Sequence, residues 1–198
     1  TALSRRGVLA LGGGIAGVLA LRQAPVQAES AGSANLSDYP FQLGVASGEP
    51  SPESVVLWTR LAPQPLADDG LGGMPRTSLP VRWEIAEDSA MRQVVRRGTV
   101  TASPDLAHSV HVEVTGLRPG REYWYRFAAA GEMSDVARTK TAPAPGAVTP
   151  VNLAFLSCQQ WESGFYTAYG HLAQQDFDAV VHFGDFIYEG GIGATGGV

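Results

Sequence analysis

From Tyr39 to Thr141 the chain never holds an apolar pattern for longer than one short strand before Gly, Pro, Asp or Ser interrupts it. Alternating apolar and polar residues mark strands at 41–46, 55–60, 81–86, 94–100, 109–114, 123–128 and 135–139, and turn residues separate most of them. Segments of this length and period suit strands buried on one face, not helices. Several at regular spacing predict a β-sandwich of two packed antiparallel sheets.

The strand at 123–128 fixes which face is inside. Period two puts Tyr123, Tyr125 and Phe127 on one side and Trp124 and Arg126 on the other. The preceding Leu117-Arg118-Pro119-Gly120-Arg121-Glu122-Tyr123 resembles the signature of fibronectin type III domains before their penultimate strand, and Tyr123 stands where it would close a tyrosine corner. Trp83, inside an alternating strand, is expected in the core, whereas Trp58 fits core or surface. His108 and His111 flank a strand and are expected at solvated or edge positions, pointing different ways. The stretch 62–79, rich in Pro and Gly with Asp68 and Asp69 adjacent, reads as an excursion between strands. Pro143, Pro145, Gly146 and Pro150 mark a linker at 143–150 after a sandwich spanning 38–142.

Beyond the linker the texture changes. Residues 151–157 form a short, almost uniformly apolar run that suits a buried parallel strand, with Cys158 at its carboxyl end. Phe165, Ala168, Tyr169 and Leu172 recur at helical spacing and give a crossover helix one apolar face. A second strand at 179–183 is followed by Gly184, which permits a tight turn, and by Asp185 at the strand tip. The unit predicted is a βαβ whose chemistry sits where open α/β sheets place their ligands. A thiolate from Cys158, a carboxylate able to bridge two ions from Asp185 and a phenolate from Tyr188 would supply negative charge to cations. Read singly, Cys158 is also a small buried hydrophobe, Asp185 a turn residue and Tyr188 a packing residue. His171 and His182 are left out of the site, because His182, on a period-two strand, turns away from the tip.

Ser157-Cys158-Gln159 after a strand, Phe165-Tyr166-Thr167-Ala168-Tyr169 on the next helix and Gly184-Asp185-Phe186-Ile187-Tyr188-Glu189 after the second strand closely resemble the PhoD-like alkaline phosphatases of the calcineurin-like metallophosphoesterase superfamily. They are more distantly similar to the purple acid phosphatases. The resemblance implies that Asp185 bridges two metals and is catalytic through them, and that Cys158 and Tyr188 bind a ferric ion. It also implies calcium in a di-metal or larger centre, a phosphate-ester substrate and a β-sandwich ahead of the metal domain. The superfamily's usual first D-x-H motif is absent, and Ser157-Cys158-Gln159 stands in its place, which points to this branch.

The amino-terminal segment concerns compartment. Arg5 and Arg6 precede a Gly- and Ala-rich apolar stretch to Leu21, then Arg22, Pro25 and Val26-Gln27-Ala28. This order is that of a signal peptide over 1–28, cleaved after Ala28, and the paired arginines favour the twin-arginine translocase as export partner. A secreted or periplasmic enzyme with no stable membrane insertion after cleavage is expected. The net charge of -5 argues against nucleic-acid binding, and loss of the leader's arginines would make the mature part more acidic still. The single Cys excludes an intrachain disulfide.

The superfamily's later ligand motifs do not occur before Val198. Residues 151–198 are therefore expected to be the start of a metallophosphatase domain, and the chain an amino-terminal portion, inactive alone, of an exported metal-dependent phosphomonoesterase or phosphodiesterase. The alternative is a secreted β-sandwich binding module whose βαβ remnant is inert.

Overall fold

The computed structural model describes residues 36, 38–161 and 164–190; the leader lies outside them. Among the described residues no helix is long and apolar enough to cross a membrane. Alternation along the sandwich strands sorts side chains onto two faces. β1 (Val45–Gly48), β2 (Ser54–Arg60) and β5 (Ser109–Thr115) form one antiparallel sheet in the order β1-β2-β5. β3 (Leu79–Ala86), β4 (Val94–Ala102) and β6 (Glu122–Ala129) form the other in the order β4-β3-β6. Beyond β6 that sheet is completed by β7 (Glu132–Met133) and β8 (Ala137–Lys140), which both pair with β6.

The inward positions close one core. Val55, Leu57, Val110, Val112 and Val114 come from the first sheet, and Leu79, Val81, Ile85, Tyr123, Tyr125 and Phe127 from the second. Each large side chain removed from water contributes about 1.5–3 kcal/mol, and the aromatic row of β6 contributes most area. The Tyr123 hydroxyl accepts the Arg118 backbone N–H at 2.9 Å and closes the expected tyrosine corner. Trp83 is on the core face, half-buried, directly opposite Gly98, where an added Cβ would lie 2.7 Å from the indole ring. Trp58 is on the outer face of β2 and half-buried.

Three expectations need correction in the sandwich. The first strand starts at Val45, not at Phe41, because Phe41–Gly44 is a turn closed by the Gly44 N–H to Phe41 carbonyl bond; Phe41 enters the core from that turn. His108 is neither solvated nor at an edge. It is 0 % exposed at a positive φ of 58°, and its Nε2 donates to the Pro75 carbonyl at 2.9 Å, which fastens the 62–78 excursion over the end of the core. His111 is exposed as expected. The third correction extends the last sandwich strand to Lys140 and begins it at Ala137.

After the sandwich, β9 (Leu153–Leu156) and β10 (Ala179–His182) pair in parallel, with Leu153 opposite Ala179 and Leu156 opposite His182. The crossover contains α1 (Thr167–Leu172). The βαβ unit is present, but its strands are not buried: Ala154 is enclosed, whereas Phe155 and Phe183 are 59 % and 69 % exposed and stack on each other. Two strands and a helix of this length do not cover the faces of a parallel sheet. The helix is also shorter than its periodicity suggests, because Tyr166 takes a left-handed φ of 53° and leaves Phe165 outside the helix and exposed.

Charge joins the unit to the sandwich. Arg138 on β8 donates to Glu122 on β6 at 2.8 Å, to Asp176 at 2.6 Å and to the Phe177 carbonyl at 3.3 Å. Lys140 pairs with Asp178, whose other oxygen accepts the Asn152 N–H at 2.8 Å. The loop entering β10 is thereby tied both to the sandwich edge and to the start of β9.

Candidate metal centre

The loops that follow the two parallel strands are zipped together by backbone bonds. Cys158 N–H donates to the Gly184 carbonyl at 3.0 Å, Gln160 N–H to Asp185 at 3.2 Å and Trp161 N–H to Phe186 at 2.7 Å. Forming that zipper forces the chain into unusual conformations. Gly184 has φ 107°, and Cys158, Gln160 and Asp185 hold left-handed φ values of 55°, 47° and 58°. Each non-Gly residue in such a region costs of order 1 kcal/mol or more, and such residues cluster at functional sites.

This geometry aims two side chains at one oxygen of a third. The Cys158 thiol lies 3.5 Å from Asp185 Oδ2, and the Tyr188 hydroxyl donates to the same oxygen at 3.3 Å. All three sequence-predicted site residues are brought together, at the carboxyl ends of adjacent parallel strands and open to solvent. His182 is engaged by its own turn and has no bond to the cluster: its Nδ1 accepts the Gly184 N–H at 3.1 Å and its ring packs edge to face with Phe186. His171, in the last turn of α1, is exposed and outside the cluster. Partial burial, then the hydrogen bond with Cys158 and the charge of Asp185, push the Tyr188 phenol up to about 12. A neighbouring carboxylate with no compensating positive group has that effect.

The donor set fits a cation. Between Val151 and Gly190 the sequence contains no lysine and no arginine, so within the unit neither of these cations answers the charge of Asp185. Carboxylate, thiol and phenol converge with no Lys or Arg counter-ion among the described residues, and a metal would lower the proton affinity of the sulfur and phenol that now hydrogen-bond among themselves. Among the described residues no three or more His, Cys, Asp and Glu side chains group as a metal site, and the cluster here has only two such residues, with Tyr188 as its third donor. Sequence reading missed the ion pairs that tie this unit to the sandwich. Arg138, Lys140, Asp176 and Asp178 carry no local motif, and only the fold brings them together.

The architecture is a β-sandwich followed by a parallel βαβ unit that presents a thiol, a carboxylate and a phenol at its rim. The chain belongs to the PhoD-like phosphatase family: residues 26–143 match the PhoD-like phosphatase N-terminal domain, and residues 153–197 match the PhoD-like phosphatase domain that follows it. It is 58% identical over 158 residues to alkaline phosphatase D of Bacillus subtilis (strain 168), across 79% of this chain and 27% of that protein. A solved structure described as that of PhoD superposes with a TM-score of 0.76 at 57% identity, covering 79% of this chain and 30% of that one. The chain thus spans less than a third of the length of these relatives.

Proposed function

We propose that this chain is the amino-terminal part of an exported, metal-dependent phosphoric ester hydrolase of the alkaline phosphatase D type. The observation that carries the proposal is the convergence of Cys158 and Tyr188 on Asp185 Oδ2, held by three left-handed non-Gly residues in two zipped loops. An inert remnant has no need of such strain, so the geometry favours an enzyme over a binding module with a vestigial βαβ. The identity to alkaline phosphatase D supports the reaction class.

Asp185 would bridge two metals, and Cys158 and Tyr188 would hold the more Lewis-acidic of them, a ferric ion, beside calcium. Such ions supply Lewis acidity toward a phosphoryl oxygen and lower the pKa of water. The residues of this chain contribute position and charge. The Cys158–Trp161 and Gly184–Phe186 backbone bonds fix the ligands' spacing, and the Asp185 carboxylate concentrates negative charge where cations are to be held. Further ligands would come from the remainder of the protein, so the chain alone would not hydrolyse phosphate esters. The leader over 1–28 supports export of the folded protein by the twin-arginine route.

The test uses the full-length parent protein. A phenolate on ferric iron absorbs visible light, so Tyr188→Phe should shift or bleach the colour while the fold persists. Cys158→Ser should lower iron content, and Asp185→Asn should cost the most activity, because an amide does not bridge two cations. Full iron and full activity in all three variants would sink the assignment.

A further inference from the structure

We propose that the outer face of the β4-β3-β6 sheet carries a subsite for a tetrahedral oxyanion of phosphoryl type, with Arg82 and Arg97 as its jaws and Thr99 as a hydroxyl donor. It lies on the sandwich and stands independently of the metal centre. Strand register assembles it. Arg82 is opposite Thr99 on one side and Ala128 on the other, while Glu84, two residues along the same strand, is opposite Arg97 and Arg126. Partners in register share a face, so all six project outward, away from the core row of Val81, Ile85 and Phe127. They line one concavity of about 340 Å³.

The charges within it are unevenly matched. Glu84 is the one carboxylate of the concavity, and Arg126 occupies it: Nε and Nη2 both reach Oε2, at 3.2 and 2.9 Å. Arg82 and Arg97 enter no ion pair and no side-chain hydrogen bond among the described residues. Two unspent guanidiniums thus stand diagonally across one strand pair, on a chain whose net charge is -5. Like charges at that separation repel, and an anion seated between them removes the repulsion. Thr99 and Ala128, both small, flank the Arg82 stem, and Met133 lies beyond Ala128.

Donor count selects the ligand. Each guanidinium presents a planar fork of N–H groups, and Thr99 adds an O–H, which together exceed what a two-oxygen carboxylate accepts and match a tetrahedral oxyanion. The phosphoryl group has two possible sources, free phosphate and a chain of linked phosphoryl groups, and the experiment separates them.

The full chain, kept at low ionic strength with a chelator so that the metal centre holds no cation, is titrated calorimetrically with inorganic phosphate, with long-chain inorganic polyphosphate and with acetate. Binding of phosphate and polyphosphate with equal affinity per site assigns the site to free phosphate. Tighter binding of polyphosphate assigns it to a chain. In either case Arg82→Gln with Arg97→Gln should weaken binding about tenfold or more. Arg126→Gln leaves both jaws intact but frees Glu84 as an internal competitor, so it should weaken binding too, and adding Glu84→Gln should restore it. Thermal melts should match the parent, because every substituted position faces outward. Binding unchanged in the Arg82→Gln/Arg97→Gln variant, acetate binding as tightly as phosphate, or no binding of any of the three would overturn the proposal.

Discussion

At the residue scale, Tyr123 illustrates how one polar atom anchors an apolar row. Its ring is buried between the sheets, and its hydroxyl is the acceptor for the Arg118 N–H, a backbone group that the turn at Pro119-Gly120 leaves without a strand partner. Tyr123→Phe keeps the ring and orphans that N–H. An unsatisfied, partly buried donor costs about 1–3 kcal/mol, so equilibrium denaturation should show a loss of that size with an unchanged slope. A loss below about 0.3 kcal/mol would mean that water replaces the hydroxyl. This role was legible in the sequence because the tyrosine corner has a local signature. The position of His108 was not: it follows from a left-handed φ and from a carbonyl at Pro75, far away in the chain. That Cys158, Asp185 and Tyr188 come close together was legible from their places at or just after the ends of two strands. The positive φ values of Cys158 and Asp185 have no compositional mark on residues other than Gly.

At the scale of elements, the strands from β2 to β6 stand within two residues of where period two places them, because one face of β2, β3, β5 and β6 is largely buried and a slip would expose it. The first strand and α1 were read too long for a shared reason. Apolar residues at their starts, Phe41 and Phe165, sit in turns, and pattern does not distinguish a turn's anchor from a strand or helix position. What joins the elements is electrostatic and long-range. The hydrogen bond from Lys140, followed by that from the Asn152 amide, holds the Asp178 carboxyl below the usual carboxylate range. A carboxyl whose pKa is depressed on folding adds stability above its unfolded value and loses it as pH falls through the lower folded value. The tie between β8 and the entry to β10 should therefore be complete above about pH 4 and weaken below it. Asp178→Asn should remove that part of the acid dependence, and Lys140→Met should reduce it. Being still partly open to solvent, the pair should contribute about 1 kcal/mol at neutral pH. Acid titrations of unfolding that superimpose for the parent and Asp178→Asn would remove the clamp from the account.

For the molecule as a whole, apolar burial is concentrated in the sandwich and nearly absent from the unit that carries the metal ligands. The core draws on both sandwich sheets, whereas among the described residues of the βαβ only Ala154 is enclosed, and Phe155, Phe165, Phe183 and Ile187 all face solvent. Stability should be divided in the same way, because backbone pairs without packed side chains open locally at low cost. Native-state hydrogen exchange on this chain should find the amides of β2, β3, β5 and β6 exchanging only through global unfolding. Those of β9 and β10 should exchange through a local opening several kcal/mol cheaper, with the Asn152 and Asp178 amides, held by the Asp178–Asn152 bonds, slower than their neighbours. In the full-length parent the same β9 and β10 amides should rise toward global protection, since further elements would cover Phe155 and Phe183. Equal protection of β6 and β10 in the isolated chain would show that the two-stranded unit is stable without that cover, and that the exposed aromatic pair is no measure of its independence.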